Sequence, residues 1–361
     1  MKRAINKILL LIVFLMFCTL FFKGFTEYID RNRVNTEEIL QSMTLEEKVG
    51  QLFILGFWGK EPDYYITKMI KDRYIGGVIL LGYNIDGEEQ LKTLTSTLQN
   101  MSKYPLFISV DQEGGQVSRI WFEDTYNISQ YEIENTKQAY DIAKSRGKQL
   151  KEFGINMNFS PVLDHVTNEQ SFLFTRIFKG DKQQGAELAK AMLKGYKDAG
   201  IVACVKHFPG HSNDTQDSHS ELDSVNITAD MLDEYIYEFK EALGDADAVM
   251  LGHILFPNID PDSPASVSKY FVNDLLRNEL QFNGLIITDD MQMKSIHDRY
   301  SVKEAAVKAV MVGNDLLIYT GTPEEQAEAY SAVLQAVRDG VIKEKDIDKR
   351  VLKILNIKYG L

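Results

Sequence analysis

Lys206-His207-Phe208-Pro209-Gly210-His211, followed by Asp217-Ser218-His219, holds three of the six histidines of the chain. Asp214 and Asp217 lie among them, and Pro209-Gly210 favours a turn in the middle. Imidazoles titrate near neutral pH, and a neighbouring carboxylate fixes their tautomer and favours their protonated form. Such a group can move protons, hold a polar ligand or bind a metal. The apolar run Ile201-Val202-Ala203-Cys204-Val205 directly before it reads as a buried strand. Titratable groups crowded into a loop after a strand are common material for an active site in an α/β protein. A solvated polar loop and a structural metal site are the competing readings.

The elements that must position these residues recur along the chain. From Thr36 onward, eight short apolar runs alternate with amphipathic stretches: Leu52 to Phe57, Gly77 to Leu81, Leu106 to Val110, Ile155 to Phe159, Ile201 to Val205, Ala248 to Leu251, Leu285 to Ile287 and Leu316 to Tyr319. Continuous rather than alternating apolar runs suit strands buried on both faces, as in a parallel sheet. Between them, Tyr64 to Tyr74, Glu88 to Met101, Lys137 to Phe153, Gln183 to Ala199, Ala229 to Ala242 and Tyr270 to Leu280 carry apolar residues at helical spacing. Thr228 and Ser301 are expected helix starts, and Gly154, Gly200, Gly284 and Gly313 expected helix ends. Glu324 to Val337, with Thr322 and Pro323 before it, and Asp346 to Tyr359 close the chain as helices. Eight βα units close most simply as a (β/α)8 TIM barrel, an α/β fold. An open doubly wound sheet is the alternative, but Gly56-Phe57-Trp58-Gly59 is not a phosphate-binding fingerprint.

In a barrel, polar residues just after each strand gather at one end. Strand three is followed by Asp111-Gln112-Glu113-Gly114-Gly115 and Arg119, strand four by Pro161, Asp164 and a long loop with Arg176. Strand five ends in Lys206 and His207, strand six in His253, and strand seven in Thr288-Asp289-Asp290. Charged or titratable groups on five strands point to one shared pocket.

Composition sets the remaining bounds. The chain has 361 residues, 44% hydrophobic and 25% charged, enough for a sizeable core. Its net charge of -12, without a basic cluster in the body, argues against nucleic acid as a partner. Cys18 and Cys204 imply neither a disulfide framework nor a thiolate-rich zinc site. Lys2, Arg3 and Lys7 precede an apolar run from Ile8 to Phe22, followed by Lys23. Residues 1–26 thus read as a signal peptide or, preferably, an uncleaved signal anchor, because small residues suited to cleavage are missing. The expected placement is exported: secreted, or on the outer face of the cytoplasmic membrane. Residues 36–361 are read as one catalytic domain.

The Lys206 to His219 segment resembles the signature of family 3 glycoside hydrolases, in the β-N-acetylglucosaminidase branch. Asp111-Gln112-Glu113-Gly114-Gly115-Gln116-Val117-Ser118-Arg119 resembles that family's sugar-binding strand, Arg176-Ile177-Phe178 its Arg-Ser-Phe element and Thr288-Asp289-Asp290-Met291 its nucleophile strand. The resemblance runs in order from Thr36 to Leu361. Ser212-Asn213-Asp214 and Ile177 depart from the usual pattern. The resemblance implies a retaining β-N-acetylglucosaminidase with Asp289 as nucleophile and His219, assisted by Asp217, as acid and base. Asp289 is preferred to Asp290 because the family nucleophile directly follows the Ser or Thr after the strand. Asp290 is given a supporting role, and His211 none beyond the turn.

Retaining hydrolysis needs a nucleophile below the anomeric carbon and an acid at the leaving oxygen. Asp217 and His219, two residues apart in an extended segment, can point the same way. Asp111, Arg119, Arg176, Lys206 and His207 are expected to bind the sugar, the cations and His207 as donors to hydroxyls or an N-acetyl carbonyl. Trp58 and Trp121 could stack on a sugar, but core packing is the expected role of both. His253 fits a structural role and a pocket-lining role equally. No cofactor or metal is expected. The expected partners are N-acetylglucosamine-containing saccharides or muropeptides and, through the N-terminal segment, a membrane; the body is expected to be a monomer.

Other readings compete. His207 and His211 have HxxxH spacing, and with Asp217 and His219 they could serve a zinc hydrolase. The Pro209-Gly210 turn breaks the helix that this motif needs. A non-catalytic sugar-binding module would have no use for Asp289. A phosphorylase on the same fold would pass the sugar to phosphate, and a β-glucosidase-type specificity would change the sugar.

Overall fold

The computed structural model describes residues 34–122, 127–213 and 222–361. The N-terminal signal or anchor segment lies outside the described residues. Thr36–Ser42 forms a short helix. Residues from Ser42 to Leu361 form one compact unit.

Eight parallel strands close into a barrel: β1 (Phe53–Leu55), β2 (Gly77–Leu80), β3 (Phe107–Val110), β4 (Met157–Asn158), β5 (Val202–Phe208), β6 (Ala248–Leu251), β7 (Leu285–Asp290) and β8 (Leu316–Tyr319). Each pairs with its sequence neighbours, and β8 returns to β1 with Phe53 opposite Leu317. The continuous apolar runs now have a physical reason. Alternate residues, Val202 and Cys204, Ala248 and Met250, Leu285 and Ile287, Leu316 and Ile318, fill the barrel interior with Ile54, Ile79, Phe107 and Met157. The residues between them, such as Val249, Ile286 and Leu317, are fully buried as well. Both faces of each strand are covered, so the runs lack the polar alternation of a half-exposed strand.

Most helices follow the periodicity. Glu88–Met101, Tyr64–Arg73, Lys182–Ala199 and Pro323–Arg338 match the expected spans within one residue at each end. Ser301 and Thr322 each form a capping box, with Glu304 and Glu325. Gly200 closes its helix in the left-handed region, at φ 74°. Three expectations change. Ala229 to Ala242 is not one helix but a 3-10 turn and two short helices broken at Ile236. Thr228 makes no capping bond there. Gly284 does not end a helix; a side chain there would meet the Asp247 carbonyl at 2.5 Å.

The last helix, Glu344–Lys358, seals the barrel at the end where the strands begin. Ile354 joins the interior cluster. Lys358 is buried, donates to Gln51 Oε1 at 2.8 Å and lies 5.0 Å from the Phe107 ring centroid. Burial holds its ammonium well below the usual lysine range. The unfolded chain therefore binds a proton more readily here than the native one. By linkage this group makes stability rise as pH rises toward the unfolded lysine value of about 10.4. Lys358→Met is expected to flatten that rise, which urea titrations of both proteins between pH 7 and 10 will read.

Candidate active site

The charged side chains at the carboxyl end of the barrel form two buried clusters. The first is built on β3 and β5. Gly114 and Gly115, at φ 95° and 60°, turn the chain so that Glu113 N–H bonds the Val117 carbonyl at 3.0 Å. This holds Glu113 inward at the strand end, almost fully buried. Arg176 grips it with two bonds of 2.8 Å, from Nε to Oε2 and from Nη2 to Oε1. Lys206 Nζ bridges Glu113 Oε1 and Asp111 Oδ1, both at 2.6 Å. Arg119 Nη2 stands 3.7 Å from Asp111 Oδ2, and its buried Nε has no protein partner.

Burial opposes the charges on Asp111, Glu113, Arg176 and Lys206, and the mutual pairing overcomes it. Glu113 is held down to about 2, against its burial, by Lys206 and Arg176. Asp111 is lowered by Lys206 and Arg119, again against burial. Lys206 is raised by the two carboxylates despite its own burial. All stay charged at neutral pH. Two carboxylates and three cations give a site rich in fixed, oriented hydrogen-bonding groups for hydroxyls. Ile177, where the resembled pattern has Ser, packs with Val162, Val166 and Leu173 beneath the loop that carries Arg176.

The second cluster is Asp164, His207 and His211. Residues after β4 run along β5, with Lys206 N–H bonded to the Pro161 carbonyl at 3.1 Å and Leu163 N–H to the Lys206 carbonyl at 2.6 Å. Asp164 is thereby set against His207. Its Oδ2 accepts from His207 N–H at 3.0 Å and lies 2.8 Å from His207 Nδ1. Its Oδ1 accepts from His211 N–H at 2.8 Å and lies 2.7 Å from His211 Nδ1. Burial works against this carboxylate, yet the two imidazoles keep it well below the usual range. A charged carboxylate only accepts, so both Nδ1 atoms carry the proton. Burial pushes His207 down, leaving it neutral with Nε2 as an acceptor. His211, although equally buried, is pushed up by Asp164. With Nδ1 engaged by Asp164, Nε2 is the ring atom of His207 left to meet a ligand.

The donor atoms of Asp164, His207 and His211 lie within 4.8 Å of one another, the one such grouping among the described residues that could hold a metal ion. Both Nδ1 atoms already meet the carboxylate at hydrogen-bond distance, so a cation there would have to displace those protons. The HxxxH pair is not on a helix: His207 belongs to β5 and His211 to the turn after it.

β5 runs on through Lys206, His207 and Phe208, and β7 through Asp289 and Asp290, so these residues are strand members rather than followers. Alternation along β7 separates the two carboxylates. Asp290 accepts from Thr320 N–H at 3.1 Å, Gln292 N–H at 3.2 Å and the Thr320 hydroxyl. Burial, with the nearby Asp289 charge adding to it, raises Asp290 to about 6. Asp289 accepts the Asp290 N–H at 2.8 Å, and its charge reaches His211 on the β5 side. His253 is fully buried, with Nδ1 2.6 Å from Ser266 Oγ and Nε2 2.9 Å from the Asp290 carbonyl. It braces the end of β7.

The structure therefore brings Asp111, Arg119, Arg176, Lys206 and His207 together on the barrel end that carries Asp289. Asp217 and His219 lie outside the described residues. Glu113 and Asp164, which strand position put at the shared pocket but to which no role was given, are each the hub of a cluster. Trp58 and Trp121 do not pack in the core: they are 64% and 61% exposed. Each follows a residue that takes the inward position, Phe57 and Ile120, both buried.

Known proteins resemble this chain over most of its length. The Glycosyl hydrolase family 3 N terminal domain profile matches residues 44–357. A beta-hexosaminidase of Nitrosomonas eutropha is 33% identical over 273 residues, covering 72% of this chain and 77% of the relative. Beta-hexosaminidase LpqI of Mycobacterium tuberculosis is 30% identical over 325 residues, covering 86% and 82%. Among solved structures, a glycoside hydrolase family 3 beta-N-acetylglucosaminidase from Paenibacillus sp. str. FPU-7 superposes with a TM-score of 0.83 at 37% identity, over 88% of this chain. The chain spans 62% of the length of that Paenibacillus protein.

Proposed function

Because the chain belongs to glycosyl hydrolase family 3 and is a glycoside hydrolase of the β-hexosaminidase kind, we propose that it is a retaining β-N-acetylglucosaminidase. Asp289 attacks the anomeric carbon as the glycosidic C–O bond breaks, and His219, assisted by Asp217, protonates the leaving oxygen. Water then attacks the glycosyl-enzyme, gives its proton to His219 and releases the sugar with its β configuration. Asp111, Lys206, His207, Arg119 and Arg176 hold and orient the sugar. Glu113 acts through Lys206 and Arg176, fixing where their remaining donors point.

The observation that carries this reading is the meeting, at one barrel end, of groups from four strands. Asp111 and Glu113 come with β3, Asp164 with β4, Lys206 and His207 with β5, and Asp289 with β7. A binding module needs the hydroxyl-binding cluster but not a carboxylate nucleophile facing it.

Peptidoglycan fragments are the substrate class this reading favours, because the basic and then apolar residues 1–26 suit an exported protein. No helix among the described residues is long and apolar enough to cross a membrane. The domain is assigned to residues 36–361, acting as a monomer without cofactor.

Proton NMR of freshly cleaved β-N-acetylglucosaminides tests the proposal. The first sugar formed should be the β anomer. An α anomer formed first would overturn the retaining mechanism. Sugar 1-phosphate appearing only with added phosphate would make the protein a phosphorylase, and turnover of glucosides alone would change the sugar.

A further inference from the structure

At the same barrel end, the Trp58 indole and the Tyr83 ring stack with centroids 4.2 Å apart and planes 11° from parallel. Large aromatic rings are usually placed where most of their surface is covered. Trp58 instead leaves 64% of its surface in solvent, and Tyr83 is half-buried beside it. The pair is nonetheless firmly mounted. Buried Asn84 donates through Nδ2 to the carbonyls of Phe57, at 2.9 Å, and Gly59, at 2.7 Å, on either side of Trp58. Gln90 Nε2 donates to the Lys60 carbonyl at 2.6 Å, and Lys60 Nζ pairs with Asp86 at 2.6 Å. The loop after β1 and the loop after β2 are thus tied together around an aromatic face that stays open.

That face lies beside the candidate site. Trp58 and Tyr83 follow β1 and β2 at their carboxyl ends, where Asp289 and Asp290 end β7. Burial raises the Tyr83 phenol, and the Asp290 charge raises it further, which puts the phenol within electrostatic reach of that carboxylate. The sugar-holding charges come from β3, β4 and β5. The aromatic pair stands on β1 and β2, a part of the rim that supplies none of them.

We propose that the Trp58–Tyr83 pair is the platform on which the sugar ring on the leaving-group side of the substrate stacks. This rests on the reading of the protein as a β-N-acetylglucosaminidase. A β-linked pyranose with equatorial substituents presents a flat face of C–H groups, which an open indole covers well. The charged cluster holds the ring that is transferred, and the platform holds the ring that leaves. The substrate class is therefore a saccharide of two or more rings rather than a glycoside with a small aglycone.

Two measurements test this. Trp58→Ala should lower kcat/KM for N,N′-diacetylchitobiose by about 10-fold or more, while kcat/KM for methyl β-N-acetylglucosaminide stays within about 2-fold. Equal losses on the two substrates would overturn the platform. The second measurement does not depend on turnover. The chain has two tryptophans, so Trp121→Phe leaves Trp58 as the one reporter. Its emission should change on adding the disaccharide, and not on adding N-acetylglucosamine. Absence of a disaccharide-dependent change overturns the platform whatever the kinetics show. A clear change in a protein that cleaves neither substrate would support the platform and reject the reaction.

Discussion

Asp289→Ala is expected to lower kcat/KM for an N-acetylglucosaminide by on the order of 10⁴-fold or more, with the fold intact. A nucleophile removed from a covalent mechanism leaves only binding and acid catalysis to act on the bond. Asp289 is mounted on β7, whose preceding residues Leu285 to Thr288 are fully buried, so truncating its side chain leaves the strand in place. Added azide should restore turnover in this variant and give the α-glycosyl azide, because a small anion can enter the space the carboxylate vacates. The matched control is Asp290→Asn. Asp290 is engaged by Thr320 and Gln292 and titrates near 6, which suits a brace between β7 and β8 rather than a nucleophile. Its loss should be far smaller and show no azide rescue. Equal losses in the two variants would sink the assignment of the nucleophile.

The nucleophile role rests on the resemblance of Thr288-Asp289-Asp290-Met291 to the family's nucleophile strand, whereas the buried strand before it was legible from local order. The same holds for the barrel. Leu316 to Tyr319 is strand β8 as expected, and burial on both faces, with Leu316 and Ile318 in the interior and Leu317 and Tyr319 buried between them, explains why its run showed no polar alternation. What sequence could not display is pairing across distance. Glu113 finds Arg176 63 positions away, and Asp164 finds His207 43 positions away. Each sits in a motif whose other members looked more chemical, and its importance appears only once two loops converge. Trp58 fails for the opposite reason. An aromatic after an apolar strand reads as core by composition, but Phe57 already fills the inward position. Ala229 to Ala242 keeps helical spacing across a break that its own residues do not announce.

Asp164 is where those distant pairings give the strongest expectation. Its carboxylate serves four donors, two backbone N–H groups and two imidazoles, at 2.7 to 3.0 Å, in a fully buried setting. Asp164→Asn keeps the volume but places an amide N–H₂ where one oxygen accepted two protons. At least two donors are left facing another donor. Breaking a buried, paired charge in this way costs roughly 3–5 kcal/mol, so a marked loss in urea-denaturation midpoint is expected. The catalytic consequence is separate. Without Asp164 the His207 ring loses the contact that sets its tautomer, and Nε2 no longer reliably accepts from the sugar. kcat/KM should fall by about 10²-fold in protein shown to be folded, chiefly through KM, since His207 is assigned to binding. A readout that mere destabilisation would leave alone is the titration of His211. Asp164 raises that imidazole against its burial. In Asp164→Asn, burial acts unopposed by that charge, and the His211 midpoint followed by NMR should move down. An unmoved midpoint in the folded variant would mean that Asp164 is a packing residue and not the group that poises these two histidines.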